Sequence, residues 1–327
     1  MRNSLFIVAG LTLATSVAKA ETPVLTVYTY DSFTAEWGPG PMIETAFEAE
    51  CACDLQFVSA GDGAALLARI LLEGAGTPAD VVLGLDTNLT EKARASGLFG
   101  LHGITAQFDL PVVWSDDTFL PFDWGWFAFV GNLGGDMPAN FQELADSDLK
   151  IVIEDPRSST PGLGLLLWVK SVYGDQATDI WTKLADNIVT VTPGWSEAYG
   201  MFLAGEADLV LSYTTSPAYH LIAEKDATKV ALPFDEGHYL QVEVAAKVAA
   251  TDVPELADQF MAFILSDSFQ NAIPTTNWMY PAVALDSGLP EGFDTLIQPE
   301  KSLLLSSTEA AFMRDGAIEE WRSALSQ

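Results

Sequence analysis

A loop of small hydroxyl residues marks the first candidate site. The segment "IVIEDPRSSTPGLGLLLW", residues 151 to 168, runs from an apolar strand through Ser159 and Thr160 into an apolar helix. The first turn of a helix leaves backbone N–H groups unpaired, and hydroxyl side chains add donors there, so the loop suits a phosphate or a carboxylate. An ordinary capped strand-to-helix turn has the same pattern, so this segment alone leaves both interpretations open.

Two further strand ends carry groups of the same kind. Asp62 and Gly63 open a helix directly after the strand "LQFVSA", where Asp62 either offers its carboxylate to a ligand or only caps the helix. The third set follows the strand "DLVLSY" and consists of Thr214, Thr215 and Ser216. Three such starts facing one cleft would surround an anionic group.

Aromatic residues cluster at strand ends and loops, outside the apolar stripes. They form four groups, which are Tyr28 with Tyr30, Trp195 with Tyr199, Tyr213 with Tyr219, and Trp278 with Tyr280. Large rings contribute mostly to core packing. Because each group is bordered by Gly, Pro, Ser or Thr, and because ligands of open α/β sheets bind beyond the strand ends, together they favour a site for a flat cationic ring.

The elements that position these residues alternate between strands and helices. Short β-branched-rich runs predict buried strands at residues 24–31, 55–60, 80–85, 151–155 and 208–213. Asp62 begins one amphipathic helix, and Asp252 with Glu255 predicts a capping box at the start of another. This alternation indicates a parallel-type α/β sheet.

Two longer extended runs look different from these strands. "FDWGWFAFV" (122–130) and "HYLQVEVAAK" (238–247) flank the middle third of the chain, where a segment could pass to a second lobe and return. We interpret them as crossovers between lobes, with further sheet strands as the alternative.

Chain length, net charge and the N-terminal residues limit the class of protein. Residues 1 to 20 read as a cleaved secretory signal, with an apolar stretch from Leu5 to Val17 followed by Ala18-Lys19-Ala20. Roughly 300 remaining residues exceed what one hydrophobic core usually serves, so two lobes are expected. The net charge of -30 works against nucleic acid and anionic membranes as partners.

The cysteines and histidines argue against a metal site. Cys51 and Cys53 form a tight Cys-x-Cys pair, for which we expect a disulfide in an oxidising compartment. The three histidines, His102, His220 and His238, are scattered, so a Cys/His metal cluster has no support.

Catalytic motifs give little support to an enzyme. The sequence contains no Gly-x-Ser-x-Gly elbow and no Gly-rich P-loop with a Lys. Carboxylates are too numerous for any pair to mark an acid/base site, and ferric binding by paired tyrosines lacks an adjacent Tyr-Tyr. These observations favour binding over catalysis.

Eight segments, taken in order, resemble the thiamine-binding periplasmic proteins of bacterial ABC transporters over essentially the whole mature chain. They are "VLTVYTYDSF", "WGPGP", "ADVVLGLD", "DPRSSTPGLGLLLW", "GWSEAYG", "DLVLSYTTSPAYH", "GHYLQVEVAA" and "FQNAIPTTNWMYP". The resemblance implies a type II periplasmic-binding-protein fold, in which two α/β lobes joined by crossover strands close on a ligand between them. The expected divisions are a signal peptide at 1–20, lobe 1 at 21–121 plus 238–284, and lobe 2 at 122–237 plus 285–327.

The same resemblance implies a function and a set of ligand contacts. The family binds thiamine and its mono- and diphosphate as cargo, with no cofactor, and delivers them to a membrane permease driven by a cytoplasmic ATPase. Carried over by motif, the ligand-binding residues are Asp62, Gly63, Ser159, Thr160, Trp195, Tyr213, Thr214, Thr215 and Ser216. Around the pyrimidine and thiazolium rings we expect Tyr30, Tyr219, Asn277 and Trp278. The expected protein is a periplasmic monomer and not an enzyme.

Two alternatives stay open at this point. A thiamine-degrading transferase shares the fold and attacks its substrate with a cysteine, but Cys51 and Cys53 precede the strand "LQFVSA" at the end remote from the expected cleft. A binding protein for another small cation or for a phosphonate is the second alternative.

Overall fold

The computed structural model describes residues 22 to 326. The predicted signal segment, residues 1 to 20, lies outside these described residues. The strands are β1 Val24–Thr29, β2 Asp54–Ser59, β3 Val81–Asp86, β4 Leu120–Asn132, β5 Ile151–Glu154, β6 Ile188–Thr192, β7 Leu209–Tyr213, β8 Lys229–Ala231, β9 His238–Lys247, β10 Tyr280–Pro281 and β11 Ser302–Leu303.

Helices follow most of the strands. They are α1 Asp31–Thr34, α2 Gly40–Cys51, α3 Gly63–Glu73, α4 Thr90–Ala95, α5 Phe141–Asp146, α6 Thr160–Tyr173, α7 Ala177–Leu184, α8 Trp195–Leu203, α9 Pro217–Tyr219, α10 Pro254–Phe263, α11 Asp267–Gln270 and α12 Ser307–Leu325. Across residues 22–326, no helix combines the length and apolarity needed to cross a bilayer.

The two long strands β4 and β9 join two parallel groups of strands. The sheet order is β2-β1-β3-β9-β4-β7-β5-β6. The outer groups pair in parallel, whereas β9 is antiparallel to both β3 and β4, and β4 is antiparallel to β7. The interpretation of these two runs as crossovers is therefore confirmed, and β2, β1 and β3 belong to a first lobe while β7, β5 and β6 belong to a second. The exact lobe boundaries stay a prediction.

Burial explains why β4 and β9 occupy the centre. Nearly every residue of both strands is buried, as expected for strands covered on both faces. The five predicted short strands all form within a residue or two of their expected ends, and β6, which is only partly buried, was not predicted from the sequence.

Helix α6 lies unusually close to the sheet. A Cβ on Gly164 would fall 2.0 Å from the Phe127 ring, and one on Gly162 would fall 2.5 Å from the Glu154 carbonyl oxygen. Since only glycine permits this approach, α6 is fixed directly beyond the end of β5. This packing holds Ser159 and Thr160 at the carboxyl edge of the sheet.

Two capping predictions were wrong in detail. Asp62 does occupy the N-cap position of α3, but its side chain makes no capping bond because it is directed to other donors, described below. The capping box of Asp252 and Glu255 is absent at α10, whose N-cap is Val253 with no side-chain cap. There the Thr251 hydroxyl accepts the Val253 N–H instead.

The predicted disulfide between Cys51 and Cys53 is present. It joins the end of α2 to the start of β2, and Ala52 between the two cysteines adopts a left-handed conformation with φ of 53°.

Candidate functional site

A cavity of about 510 Å³ opens beyond the carboxyl ends of strands from both lobes. Tyr30 follows β1, Gly63 follows β2, Thr160 follows β5, Trp195 follows β6 and Ser216 follows β7. The predicted site residues that line the cavity are Tyr30, Asp62, Gly63, Thr160, Trp195, Tyr213, Ser216, Tyr219, Asn277 and Trp278. The structure thus brings together most of the residues that the sequence singled out.

Three predicted site residues lie behind the cavity wall. Ser159, Thr214 and Thr215 are fully buried and do not line the cavity. The Thr214 N–H donates to the Trp126 carbonyl, and the Thr215 hydroxyl faces the Met279 sulfur at 3.6 Å. These three side chains would act on a ligand only through the residues that cover them.

Asp62 connects the two lobes at one end of the cavity. Its carboxylate accepts a hydrogen bond of 2.8 Å from the Ser159 hydroxyl and one of 3.0 Å from the Trp195 N–H. Beside it, the Gly63 N–H donates to the Thr160 hydroxyl oxygen at 3.2 Å. Burial raises the pKa of Asp62 to about 6, against the opposing effect of these two donors. We call the part of the cavity wall around Asp62, Gly63, Thr160 and Trp195, where the N-termini of α3, α6 and α8 meet, the donor end of the cavity.

Aromatic rings form the walls. Trp195 stacks on Tyr199 with ring centroids 4.9 Å apart, and its indole N–H donates to the Ser212 hydroxyl at 2.8 Å. On the other side, Tyr219 and Trp278 meet edge to face at 5.4 Å. Rings fixed in this way present flat apolar faces that suit a planar ligand.

A buried histidine holds two of these rings in place. His220 contacts the Tyr199 hydroxyl through Nε2 at 2.9 Å and the Glu224 carboxylate through Nδ1 at 2.6 Å. The same carboxylate accepts the Tyr219 hydroxyl at 2.9 Å. His220, Glu224 and Asp226 lie close enough together to share a metal ion, but the ring nitrogens of His220 already have hydrogen-bond partners. We therefore assign this group to holding the cavity wall.

A second part of the cavity wall is acidic. Glu243 lines the cavity and accepts the Tyr30 hydroxyl at 2.9 Å, while Asn277 Nδ2 donates to Asp123 at 2.6 Å and to the Tyr30 oxygen at 2.9 Å. Burial raises the pKa of Asp123 to about 8, and burial together with the nearby Asp123 raises the pKa of Glu243 well above its usual range. We call Glu243, Asp123, Tyr30 and Asn277 the acid end.

The sequence interpretation missed Glu243, Asp123 and the entrance residue Trp37. Glu243 and Asp123 could have been noticed in the sequence, since each is the single acid of a largely apolar strand, in "LQVEVAA" and "PFDWGWF". Trp37 lines the cavity with its ring 6.3 Å from that of Trp195 and remains largely exposed. Its place in the turn between α1 and α2 gives no periodic pattern by which to find it.

Comparison with known proteins finds relatives that match nearly the whole chain. The family model described as "Bacterial extracellular solute-binding protein" matches residues 26–275. The thiamine-binding periplasmic protein of Escherichia coli K12 is 54% identical over 310 residues, covering 93% of this chain and 94% of the relative. The thiamine-binding periplasmic protein of Brucella melitensis is 51% identical over 329 residues, covering 99% of this chain and 97% of the relative.

A solved structure agrees with these sequence matches. A protein described as "Periplasmic thiamin binding protein" superposes with a TM-score of 0.92 at 53% sequence identity, covering 95% of this chain and 98% of that one. Just over half of the aligned residues are identical, so the likeness extends beyond the fold to the sequence.

Proposed function

We propose a function from the premise that this chain belongs to the family of bacterial extracellular solute-binding proteins and, within it, to the thiamine-binding periplasmic proteins. The chain captures thiamine in the periplasm between its two lobes and delivers it to an ABC importer. Thiamine is cargo here and not a cofactor.

The observation that carries this proposal is the arrangement of groups along the cavity. Thiamine has a cationic thiazolium ring, an aminopyrimidine ring and a hydroxyethyl tail. The cavity offers aromatic faces from Trp195 and Trp278, carboxyl groups at its acid end and hydroxyl and N–H groups at its donor end. Aromatic faces and carboxyl groups both favour a cationic ring, and hydroxyl and N–H groups suit the tail or its phosphate.

We further propose that the phosphate esters of thiamine bind with their phosphate at the donor end. Thr160 and Trp195 are the first residues of α6 and α8, so the N-termini of two helices of the second lobe converge there. The first turn of a helix has N–H groups without a partner inside the helix, and these together with the positive end of the helix dipole favour an anion. The hydroxyethyl tail of free thiamine would use the same donors.

Delivery requires the lobes to open and close. The hydrogen bonds from Ser159 and Trp195 to Asp62 form only when the lobes meet, so they stabilise the closed form. A ligand that touches both walls adds its own contacts to that form and shifts the equilibrium towards it. We propose that the closed monomer is the form that the permease and its cytoplasmic ATPase accept.

The transferase alternative is disfavoured by the state of the cysteines. Cys51 and Cys53 are bonded to each other, and neither lines the cavity, so a cysteine nucleophile at the ligand has no candidate in this chain. A binding protein for another small cation or for a phosphonate would give no heat with thiamine, so titration with thiamine distinguishes that alternative from the proposed function.

Calorimetric titration of ligand-stripped protein with thiamine, its monophosphate and its diphosphate tests the proposal. We expect submicromolar binding of thiamine. The Trp195→Ala variant removes an aromatic wall and should weaken all three ligands by about tenfold or more. The Thr160→Val variant removes one hydroxyl without changing shape and should weaken mainly the esters.

The matched control is Thr182→Val, which removes an exposed hydroxyl that bonds only within α7. It should leave all three affinities unchanged. No heat with thiamine or either ester would overturn the proposal, and binding of thiamine without the esters would overturn only its phosphate part.

A further inference from the structure

Three carboxyl groups stand in a row across neighbouring strands. In the sheet register, Glu243 of β9 lies directly opposite Asp86 of β3 on one side and Asp123 of β4 on the other. Residues opposite each other in adjacent strands project to the same face. All three are nearly or fully buried, at 0% exposed for Asp86 and Asp123 and 6% for Glu243. We call these residues the acid row.

Like charges directly opposite each other destabilise a sheet, so the acid row is costly unless something compensates it. The neutral partners present are Asn88, which donates to Asp86 twice, and Tyr30 and Asn277 at the other members. The Oδ1 atom of Asp123 is buried and has no hydrogen-bond partner. Hydrogen bonds alone therefore leave the charge of the row uncompensated.

Basic groups do not supply the compensation on the cavity side. None of the residues that line the cavity is Lys, Arg or His. Arg314 of α12 acts on Asp86 from outside the cavity lining, and the tyrosines Tyr30, Tyr213 and Tyr239 also lie near the row. The cavity thus presents a one-sided excess of acid at Glu243, the member of the row that reaches its surface.

When the cavity contains no cation, the carboxyl groups of the acid row can bind protons. Burial raises the pKa of Asp86 to about 7 and that of Asp123 to about 8. Burial also raises the pKa of Glu243, which lies between them, and both neighbouring carboxyl groups raise it further. A cation placed against Glu243 favours the ionised carboxylate and so lowers its proton affinity.

We propose that the acid row is the cation-recognition element of the cavity, and that a cationic heteroaromatic ring bound against Glu243 replaces a proton, which leaves to solvent. This inference rests on the proposed function, because it takes the ring to be the thiazolium of thiamine. It adds that recognition selects for positive charge, and that affinity rises with pH as the row gives up its proton more readily.

Calorimetry in two buffers of different ionisation enthalpy measures the proton directly. With wild-type protein and thiamine at neutral pH, we expect release of about one proton per ligand bound. The Glu243→Gln variant keeps the acceptor for the Tyr30 hydroxyl but holds no titratable proton. Its proton release should fall well below that of wild type, because only Asp86 and Asp123 remain to titrate, and its affinity for thiamine should fall by about tenfold or more.

A second probe needs no variant. The neutral isostere of thiamine, in which carbon replaces the thiazolium nitrogen, should bind wild-type protein more weakly and without proton release. Glu206→Gln removes a carboxylate from an exposed loop and is the charge-matched control, which should behave as wild type.

The outcomes separate the two proposals. Thiamine binding without proton release, or equal affinity for thiamine and its neutral isostere, overturns this inference while the proposed function stands. No thiamine binding by wild-type protein overturns both.

Discussion

The Asp62 carboxylate accepts a 2.8 Å hydrogen bond from the hydroxyl of Ser159, although the two residues follow strands on opposite sides of the central pair β9 and β4. Asp62 follows β2 and Ser159 follows β5. The Ala65 N–H makes a second bridge of this kind to the Ser158 carbonyl at 3.0 Å. A side chain at the start of one lobe's helix thus ties that lobe to the start of a helix in the other.

The raised pKa of Asp62 predicts a pH-dependent stability. Because the folded pKa of about 6 lies above the ordinary value of 3.8, the folded state binds more protons than the unfolded state between these values. The Asp62 contribution is therefore most favourable at low pH and is lost as pH rises through about 6. We expect the free energy of unfolding of wild type, relative to Asp62→Asn, to fall by up to about 3 kcal/mol between pH 4 and pH 7.

Denaturant unfolding of the two proteins across this pH range measures that difference. The subtraction removes the other titrating groups, which both proteins share. A difference that stays constant with pH, or that rises with pH, would contradict the assignment of a raised pKa to Asp62.

The negative charge of Asp62 is also expected to favour thiamine over its phosphate esters. It accepts hydrogen bonds at the donor end, where we place the phosphate, so its negative charge opposes the ester. At neutral pH we expect Asp62→Asn to raise the affinity for thiamine monophosphate relative to thiamine by about tenfold. The gain should shrink about one unit below the pKa of Asp62, where wild type also becomes uncharged.

Glu197→Gln is the control for this experiment. Glu197 is an exposed acid in the first turn of α8, close enough to Asp62 to influence its pKa. Removing its charge should change the ester preference far less. An equal gain in both variants would mean that general charge around the cavity, and not the position of Asp62, sets the preference.

Much of the fold follows from local pattern. The short strands are apolar and rich in β-branched residues, which indicates burial. The crossovers β4 and β9 are longer apolar runs, and their positions along the chain indicate where it passes between the lobes. Capping was less predictable, because Asp62 has a choice of donors that only tertiary packing decides. At α10, the hydroxyl of Thr251 satisfies the backbone that Asp252 was expected to cap.

The site residues also differ in how far the sequence could predict them. Tyr30, Trp195 and Trp278 could be found because they belong to aromatic groups bordered by Gly, Pro, Ser or Thr, outside the apolar stripes. The acid row could not, because it exists only through the register of three strands that are distant in sequence. Sequence pattern places a residue on a strand, whereas pairing decides which residue lies opposite it.

The disulfide predicts a small contribution to stability. It closes a loop of three residues, so the entropy it removes from the unfolded chain corresponds to about 1–2 kcal/mol. The Cys51→Ser/Cys53→Ser double variant should lose about that much free energy of unfolding and keep its affinity for thiamine, since neither cysteine lines the cavity.

Thiol titration of the denatured wild-type protein provides the check on the pairing. We expect no reactive thiol before reduction and two afterwards, matching the cysteine content of the sequence. A free thiol in the unreduced protein, or loss of thiamine binding in the double variant, would reopen a role for these cysteines at the ligand.

The backbone conformation at Gly84 is expected to affect ligand affinity. It is the bulged residue of β3, with φ of 108°, and a Cβ there would fall 2.2 Å from the Tyr30 ring. Gly84→Ala therefore strains the backbone and displaces Tyr30, which donates to Glu243. We expect a loss of about 2–5 kcal/mol in the free energy of unfolding.

Gly97 is the matched control, because it also has a positive φ, of 70°, but no atom within 4 Å of the added carbon. Gly97→Ala should cost only the backbone strain, about 1 kcal/mol, and should leave thiamine affinity unchanged. Gly84→Ala should weaken thiamine as well, because Tyr30 positions the carboxylate that meets the ligand. Equal affinities in the two variants would show that the bulge holds the fold together without setting the site.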